Sequence, residues 1–288
     1  MPELPEVQTI VSELDKKIKG KKISKADVKI PKMTNLPVLE FEKKVKNKTV
    51  KSVWRRAKMI IIDLEGKGYL LIHLKMTGQL VFVPKAGRVV SGGHPIASTI
   101  DLPNKFSHFI FYFSDGSKLF FNDIRKFGWI RYADKELMEK ETGKYGAEPL
   151  TDDFTFKYFN DVLNRYPRRN IKQILMDQSL IAGIGNIYAD ESCFNSQILP
   201  IRISNTLTEV ERKKLFKAIP KILKLAIEKG GTTADTYIRT DGSKGSMFNY
   251  LNVYGQQGKI CKTKKCQGTV NKIRLNGRGT YFCAGCQK

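Results

Sequence analysis

The apolar residues of positions 5–19 recur every three or four residues, which is the period of one face of an α-helix. These residues are Val7, Ile10, Val11, Leu14 and Ile18. Gly20 follows them and is a typical helix end. From there to about residue 133, apolar residues come in short β-branched and aromatic runs, such as KMIIIDL and KFSHFIFYF, separated by turns that contain glycine. This pattern predicts one amphipathic helix followed by a β-sandwich.

The second half of the chain has the period of helices. We predict four of them, near residues 154–166, 171–177, 187–196 and 208–229. Pro220 lies inside the last one and should kink it or divide it in two. Residues 84–104 are rich in Gly, Pro and Ser and predict a surface loop, and the Gly-rich residues 230–246 predict a mobile one. The chain therefore has an α+β composition with two main parts.

The charge of the chain is strongly positive and unevenly placed. Lys and Arg number 51 against 28 Asp and Glu, which gives a net charge of +23. Residues 16–58 hold 16 basic and three acidic residues, and residues 256–288 hold eight basic residues and no acid. This excess favours a polyanionic partner, with nucleic acid first. The alternative is a general lysine bias of the genome, which would not remove every carboxylate from the last 33 residues.

No apolar run approaches the roughly 18 residues that a membrane span requires. The first residues also lack the charged and apolar regions of a signal peptide. We therefore expect a cytoplasmic protein with no membrane partner, associated with the nucleoid if it binds DNA. No feature of the sequence suggests oligomerisation, and we expect a monomer.

Four cysteines near the end of the chain have the spacing of a metal site. Cys261, Cys266, Cys283 and Cys286 form the pattern C-x4-C-x16-C-x2-C. Four thiolates at this spacing predict one tetrahedral Zn²⁺, whose role is structural because protein ligands fill every position. Two disulfides are the alternative, which an intracellular chain disfavours. No organic cofactor is indicated.

The first residues offer a nucleophile. Removal of Met1 would leave the secondary amine of Pro2 at the N-terminus, followed directly by Glu3. An α-amino group has an ordinary pKa of ~7.7–8.0, so far more of it is neutral at pH 7 than of a lysine. Such an amine can attack a sugar carbon and form an iminium, and Glu3 could serve as the acid or base. By itself, however, Met-Pro-Glu is an ordinary start.

Several motifs occur together and in a characteristic order. They are PELPEV (2–7), RRAK (55–58), HLKMTG (73–78), NDIRKFG (122–128), GIGNIYADE (183–191) and GRGTYFC (277–283). In this combination the chain resembles the formamidopyrimidine-DNA glycosylases of the Fpg/Nei superfamily over essentially its whole length. Position six of GIGNIY is tyrosine, so the motif is not a dinucleotide-binding loop.

The resemblance implies a two-domain α+β fold. Residues 1–135 would form an N-terminal catalytic β-sandwich with an N-terminal helix, and residues 136–150 would be a linker. Residues 151–255 would form a helical DNA-binding domain with a helix–two-turn–helix motif and a lesion-recognition loop. Residues 256–288 would form a zinc-binding β-hairpin.

The resemblance also implies a bifunctional repair enzyme, with duplex DNA containing oxidised purines or abasic sites as its partner. It would excise 8-oxoguanine and formamidopyrimidines and then cleave the strand by β,δ-elimination. Pro2 matches the Schiff-base nucleophile, and Glu3 matches the acid at the sugar. Lys58 matches a lysine that contacts phosphate and assists β-elimination, and Arg278 matches the arginine linked to δ-elimination.

Further matches imply DNA contacts. Met76, Arg125 and Phe127 match the residues that fill the space left by a flipped nucleotide. The remaining matches, mostly to backbone contacts, are Glu6, His73, His108, Lys126, Asn186 and Tyr254. Phosphate contacts of this kind set register and salt-dependent affinity and do not identify the base.

The chain departs from the family pattern in several places. The first cysteine pair is C-x4-C, where C-x2-C is usual, and residues 84–104 are long for this connection. Two other readings stay open: an oxidised-pyrimidine glycosylase of the endonuclease VIII kind, and a non-catalytic DNA-binding protein. Met76, Arg125 and Phe127 argue against the first, and intact Pro2 and Glu3 argue against the second.

Overall fold

The computed structural model describes residues 1–86, 90–93, 102–232 and 246–288. Its described residues form two compact units. Unit 1 comprises Met1–Gly143 and Lys229–Ser246, and unit 2 comprises Lys144–Glu228 and Met247–Lys288. The described residues 229–232 and 246, which the sequence prediction assigned to the helical domain, group with the β-rich unit.

Unit 1 consists of two antiparallel sheets and three helices. The helices are α1 (Leu4–Ile18), α2 (Val38–Val45) and α3 (Lys135–Thr142). The strands are β1 (Ile23–Val28), β2 (Val50–Arg56), β3 (Met59–Leu64), β4 (Gly68–His73), β5 (Gly78–Val83), β6 (Val90–Gly93), β7 (Ser107–Phe113), β8 (Lys118–Asp123) and β9 (Trp129–Ala133). One sheet has the order β1-β7-β8-β5-β6 and the other the order β2-β3-β4-β9.

The core of unit 1 lies between the sheets and beneath α1. Ile60 and Ile72 from the four-stranded sheet and Phe109 and Phe121 from the five-stranded sheet belong to one buried cluster. All five residues of the predicted apolar face of α1 join this cluster. The prediction of a β-sandwich with one N-terminal helix is therefore confirmed.

Three features of unit 1 differ from the prediction. Helix α2 was not predicted, because only Phe41 and Val45 mark its buried face in a strongly charged segment. Helix α3 occupies half of the expected linker, and the Asp134 carboxylate caps it by accepting from Leu137 N at 2.9 Å. Within the expected loop 84–104, strand β6 pairs with β5, and residues 87–89 and 94–101 lie outside the described residues.

Unit 2 has four helices and one hairpin. They are α4 (Phe156–Arg165), α5 (Ile171–Met176), α6 (Asn186–Asn195), α7 (Glu209–Glu228), β10 (Val270–Leu275) and β11 (Arg278–Cys283). Its core joins α4, α5, α6 and α7 in one buried cluster. These helices and the terminal hairpin agree with the predicted architecture. Among the described residues, no helix is long and apolar enough to cross a membrane.

Pro220 does not divide α7, which continues from residue 209 to residue 228. A proline inside a helix costs about 3 kcal/mol or more. On both sides of it, Leu215, Ile219, Ile222 and Leu223 are buried in the core of unit 2. Burial of each such side chain contributes about 1.5–3 kcal/mol, so packing outweighs the missing hydrogen bond. Of the two predicted effects of Pro220, division of the helix is therefore excluded, and a kink stays a prediction.

Candidate functional site

The first residues of unit 1 are fixed by the start of α1. Glu3 is the N-terminal cap, and its amide donates to Glu6 Oε2 at 2.9 Å. Both carboxylates are buried, with 3% and 2% of their surface exposed. Pro5 lies in the first turn, where its missing N–H is not needed. Pro2 therefore precedes a buried carboxylate at the positive end of a helix dipole.

Glu6 also holds the returning segment of unit 1. Its Oε1 accepts hydrogen bonds from Thr232 N at 2.8 Å and from Thr232 Oγ1 at 3.0 Å. At Gly231, φ is +80°, and an added Cβ would lie 2.9 Å from Glu6 Cγ. This carboxylate thus bridges two chain segments, so its direct contact with DNA stays a prediction. The residues that would close over a flipped base, 233–245, lie outside the described residues.

Lys58 lies in the two-residue turn between β2 and β3. Ala57 adopts a φ of +54° in this turn, and the Lys58 side chain is buried. Arg55, at the end of β2, donates from Nε to Gln8 Oε1 on α1 at 2.8 Å. The hydrogen bond attaches the hairpin that carries Lys58 to the helix that carries Glu3. The structure therefore places three of the four predicted catalytic residues on two directly joined elements.

His73 ends β4, where its ring packs against Trp129 with centroids 5.8 Å apart. Its Nδ1 accepts a hydrogen bond from Lys75 N at 3.0 Å, so the ring proton is on Nε2. Burial, together with the positive charges of Lys75 and Lys58, lowers the pKa of His73 to about 3. The imidazole is therefore neutral at physiological pH and can only donate through Nε2 to a ligand such as phosphate.

This lowered pKa predicts a pH-dependent loss of stability. The unfolded chain binds a proton at His73 near the ordinary imidazole pKa of 6.5, and the folded chain does not do so until about pH 3. The free energy of unfolding therefore decreases as the pH falls below 6.5, because the unfolded chain binds more protons at this position than the folded chain does. Glutamine does not titrate in this range. When the pH is lowered from 7.5 to 5, the unfolding free energy of His73→Gln should therefore rise by about 2 kcal/mol relative to that of the wild type. Urea unfolding at the two values checks this, and an unchanged difference would contradict it.

Two adjacent turns carry Met76, Arg125 and Phe127. Met76 lies between β4 and β5, and the other two lie between β8 and β9. Met76 is 39% exposed and Phe127 54% exposed, and the Arg125 guanidinium carbon lies 4.7 Å from the centre of the Phe127 ring. Exposed apolar side chains beside an arginine suit insertion into a base stack. Lys126 is exposed in the same turn, with a φ of +57°.

Asp123 holds both turns in place and was not predicted from the sequence. It is fully buried, and its carboxylate accepts from Thr77 Oγ1, from Arg125 N at 3.1 Å and from Gly128 N at 2.7 Å. His108 supports the same point, because its Nε2 lies 2.7 Å from Asp123 O and its side chain is buried. We therefore propose a supporting role for His108, and its direct contact with DNA stays a prediction.

In unit 2, side chains of α6 form hydrogen bonds with the terminal hairpin and with residues 252–254. The Asn186 side-chain amide donates to Gly279 O of the hairpin at 3.0 Å. Glu191, fully buried, accepts hydrogen bonds at 2.9–3.0 Å from the backbone amides of residues 252, 253 and 254. The Tyr254 ring packs on Tyr281 of β11, with centroids 4.9 Å apart. Asn186 and Tyr254 therefore both contact the hairpin, and their binding to phosphate stays a prediction.

A buried ion pair fixes the hairpin to the helices of unit 2. Lys172 Nζ on α5 lies 2.7 Å from Asp190 Oδ1 on α6, with side chains 2% and 0% exposed. The same ammonium donates to Gly279 O at 3.0 Å and to Thr280 Oγ1 at 2.9 Å. Asp190 Oδ2 accepts from Tyr281 N at 2.9 Å. Three consecutive residues of β11 are thus bound by two side chains that sequence reasoning missed.

Arg278 is exposed at the tip of this hairpin. It follows Asn276 and Gly277, whose φ values of +49° and +74° form the type of turn that Asn-Gly favours. Its position beside the anchored Gly279 fixes the backbone from which the guanidinium extends. Such an arrangement can present two parallel N–H donors to a phosphate.

The four terminal cysteines lie together at the other end of the hairpin. Their sulfur atoms all lie within 4.8 Å of one another, with separations of 3.5 Å for Cys261–Cys286 and 3.8 Å for Cys266–Cys283. Tetrahedral coordination with metal–sulfur bonds of about 2.3 Å places ligand sulfurs roughly 3.8 Å apart. The cluster therefore has the geometry of a metal site. Cys193 is separate and buried in the core.

Comparisons with known proteins agree with this geometry. Residues 1–130 match the formamidopyrimidine-DNA glycosylase N-terminal domain, and residues 145–237 match the H2TH domain of the same enzymes. Formamidopyrimidine-DNA glycosylases of Carboxydothermus hydrogenoformans and Listeria monocytogenes are 41% and 38% identical, over the whole of both chains. The chain thus combines the two domains of a DNA repair glycosylase.

Solved structures extend the likeness to three dimensions. A Lactococcus lactis Fpg variant in complex with a Fapy-dG-containing DNA has a TM-score of 0.87 at 34% identity, with both chains fully covered. The L. lactis Fpg complex with an abasic-site-containing DNA has a TM-score of 0.85 at 33% identity, with 99% of each chain covered. The chain belongs to the formamidopyrimidine-DNA glycosylase family.

Proposed function

We propose that the protein excises oxidised purines, namely 8-oxoguanine and formamidopyrimidines, from duplex DNA and then cleaves the strand at the abasic site. The observation that carries this proposal is the start of unit 1. Pro2 precedes the buried Glu3 carboxylate, and the Arg55–Gln8 hydrogen bond joins the same helix to the turn of Lys58. This arrangement combines an amine nucleophile, a fixed acid and a cation.

In the proposed reaction, the neutral Pro2 nitrogen attacks the sugar C1′. The bond from C1′ to the base breaks, its electron pair leaves with the base, and the base takes up the proton that the Pro2 nitrogen loses. Glu3 donates a proton to the ring oxygen as the sugar opens, which leaves an iminium between Pro2 and C1′. Removal of a C2′ proton then expels the 3′ phosphate, and a second elimination expels the 5′ phosphate.

The other predicted residues would position the DNA. The base must leave the stack before Pro2 can reach its sugar, so Met76 and Phe127 would fill the space and Arg125 would contact the unpaired base opposite. Neutral His73, Lys58 and Arg278 would bind phosphates around the flipped nucleotide. These contacts fix the register of the duplex, and they make affinity fall as salt rises.

The cysteine cluster would hold one Zn²⁺. Four thiolates at the observed separations suit zinc, which has no need of an open coordination position in a structural site. When bound, the ion would supply rigidity to the base of the hairpin. The chain's own residues, Lys172, Asp190 and Asn186, would then fix the strand that carries Arg278.

Removal of this metal is expected to release one zinc ion per chain and to abolish DNA binding, because the hairpin core is small and depends on the thiolates. Metal analysis before and after chelation measures the stoichiometry, and fluorescence anisotropy measures binding. Cys283→Ser should reproduce the loss, and Cys193→Ala, at a cysteine outside the cluster, should keep the full zinc content. A Cys283→Ser protein with wild-type zinc content would contradict the assignment.

Borohydride trapping tests the proposed function. The protein is mixed with duplexes that contain 8-oxoguanine opposite cytosine, an oxidised pyrimidine, or an abasic site, and the reduced adduct is separated on a denaturing gel. We expect trapping with 8-oxoguanine and with the abasic site. The pyrimidine lesion is included because one neighbour is the L. lactis enzyme with an oxidised-pyrimidine-containing DNA. Trapping with the pyrimidine alone would move the substrate to that class, and no adduct with any duplex would refute the enzymatic proposal.

A further inference from the structure

Part of the basic run 16–58 lies in turns at one end of unit 1. Four turns meet there, namely residues 19–22, 46–49, 65–67 and 114–117. Backbone hydrogen bonds of 2.8–2.9 Å join them, from Gly20 N to Val50 O, from Ile23 N to Lys48 O, from Glu65 N to Thr49 O and from Ser114 N to Lys22 O. We call this surface the cationic turns. The fold therefore brings the four turns together, although they are far apart in the sequence.

The cationic turns carry far more positive than negative charge. The four turns contain two acidic residues, Glu65 and Asp115, and six lysines. The lysines are Lys19, Lys21, Lys22, Lys46, Lys48 and Lys67. One carboxylate, that of Asp115, is already paired with Lys21. The last turn of α1 adds the exposed Lys16 and Lys17 at the same end, together with Asp15, whose carboxylate accepts a hydrogen bond from Val53 N at 2.6 Å. A local excess of this size binds polyanions strongly.

This surface is separate from the proposed active site. Helix α1 has 15 residues, so its two ends lie about 22 Å apart. Pro2 and Glu3 are at the first end, and Lys19 begins the cationic turns at the other. The phosphates around a flipped nucleotide at Pro2 are therefore not the ones that these lysines contact.

The absence of apolar anchors identifies the kind of partner. Within the described residues, the large apolar side chains that are well exposed all lie outside the cationic turns. Protein interfaces and membrane surfaces generally require such anchors, whereas the DNA backbone is bound by cations alone. A surface that carries lysines and no exposed apolar anchors thus fits duplex DNA best.

We infer that the cationic turns bind the backbone of a second DNA segment while the site at Pro2 holds the first. This inference rests on the proposed function, because it takes DNA as the ligand of the first site. Binding at the second surface would be independent of sequence and sensitive to salt. It would keep the protein on DNA when the lesion site releases its duplex, and so assist the search for damage.

A two-colour experiment tests this second site. The protein is saturated with a duplex that contains a non-cleavable abasic analogue and carries one fluorophore, and an undamaged duplex with another fluorophore is then added. We expect a ternary complex at 50 mM salt. Lys19→Gln/Lys22→Gln/Lys46→Gln removes three exposed charges, so the slope of log K against log salt for the second duplex should fall by about 2.7. If the affinity extrapolated to 1 M salt is unchanged, the affinity at 100 mM salt should fall about 500-fold.

Lys140→Gln/Lys217→Gln/Lys224→Gln is the matched control, because it removes three exposed but dispersed lysines and should leave second-duplex binding unchanged. Excision of 8-oxoguanine in a single turnover should be equal in all three proteins. A single bound duplex at every salt concentration would overturn the inference, as would equal binding by the two triple variants. Preference for polyglutamate or anionic vesicles over the duplex would overturn DNA as the partner. Loss of excision with intact second-duplex binding would refute only the proposed function.

Discussion

Replacing Lys172 by methionine is expected to destabilise the protein by about 3–5 kcal/mol, because it leaves the Asp190 carboxylate buried without its cation. The hydrogen bonds to Gly279 O and Thr280 Oγ1 are lost in the same step. Urea unfolding measures the change. Lys213→Met is the matched control in the same unit, since it breaks an exposed, solvent-screened pair with Glu209 and should change the unfolding free energy little. Equal losses in the two variants would contradict the prediction.

The loss in Lys172→Met should also depend on pH. Burial raises the pKa of Asp190 from its ordinary value of 3.8 to about 7, although the Lys172 charge opposes this shift. Without Lys172 the pKa rises further, so the folded variant retains a proton that the unfolded chain releases. A group with a raised folded pKa loses its stabilising effect as the pH rises through that pKa. The deficit of the variant relative to wild type should therefore grow between pH 7 and pH 9.

A functional measurement separates this role from general stability. If Lys172 positions the strand of Arg278, its loss should reduce the δ-elimination product and DNA affinity more than it reduces adduct formation at Pro2. Lys172→Met/Asp190→Asn removes both charges and should recover much of the stability, because no buried charge remains unpaired. It should not recover the product ratio, because the bonds to residues 279 and 280 are still absent. Recovery of both together would show that the pair has only a structural role.

The sequence predicts the elements that a local period defines. The apolar face of α1 and the cysteine spacing both depend on neighbours within a few residues or within one hairpin, and both agree with the structure. Helix α2 was missed because two buried residues do not produce a detectable period. Of the two effects that Pro220 predicted, division of α7 did not occur, because the penalty of one residue is visible in the sequence and the packing that offsets it is not.

The missed residues of the site have a common property, since their partners are distant in the chain. Lys172 binds residues more than 100 positions away, and Asp123 binds Thr77 across 46 positions. A motif shows that a residue belongs to a pattern, but not which backbone groups it accepts from or donates to. One signal was available for Asp190 and Glu191. These two adjacent acids lie in a helix between Tyr188 and Cys193, and the side chains of Tyr188 and Cys193 are buried. Acidic residues at such positions indicate carboxylates that form hydrogen bonds inside the protein.

An extension of even one residue before Pro2 is expected to abolish trapping and excision, by roughly a thousandfold or more. An amide nitrogen has no available lone pair with which to attack C1′, so the iminium cannot form. In the structure Met1 is 46% exposed, which leaves it accessible to the aminopeptidase that must uncover Pro2. A variant with an added N-terminal tag, compared with the processed protein in the borohydride assay, measures the effect.

The extension leaves the remaining machinery intact, which makes the test specific. Glu3 still caps α1, and Asp123 still binds the turns that carry Met76, Arg125 and Phe127. The affinity for a duplex with an abasic analogue should therefore change less than about threefold. Removal of the tag by a protease that cuts directly before Pro2 should restore full trapping in the same sample. Restoration would show that the tagged protein was folded and that only the amine was lacking. Undiminished turnover by the tagged protein would instead assign the nucleophile to another group, and the buried Lys58 would then be the first to examine.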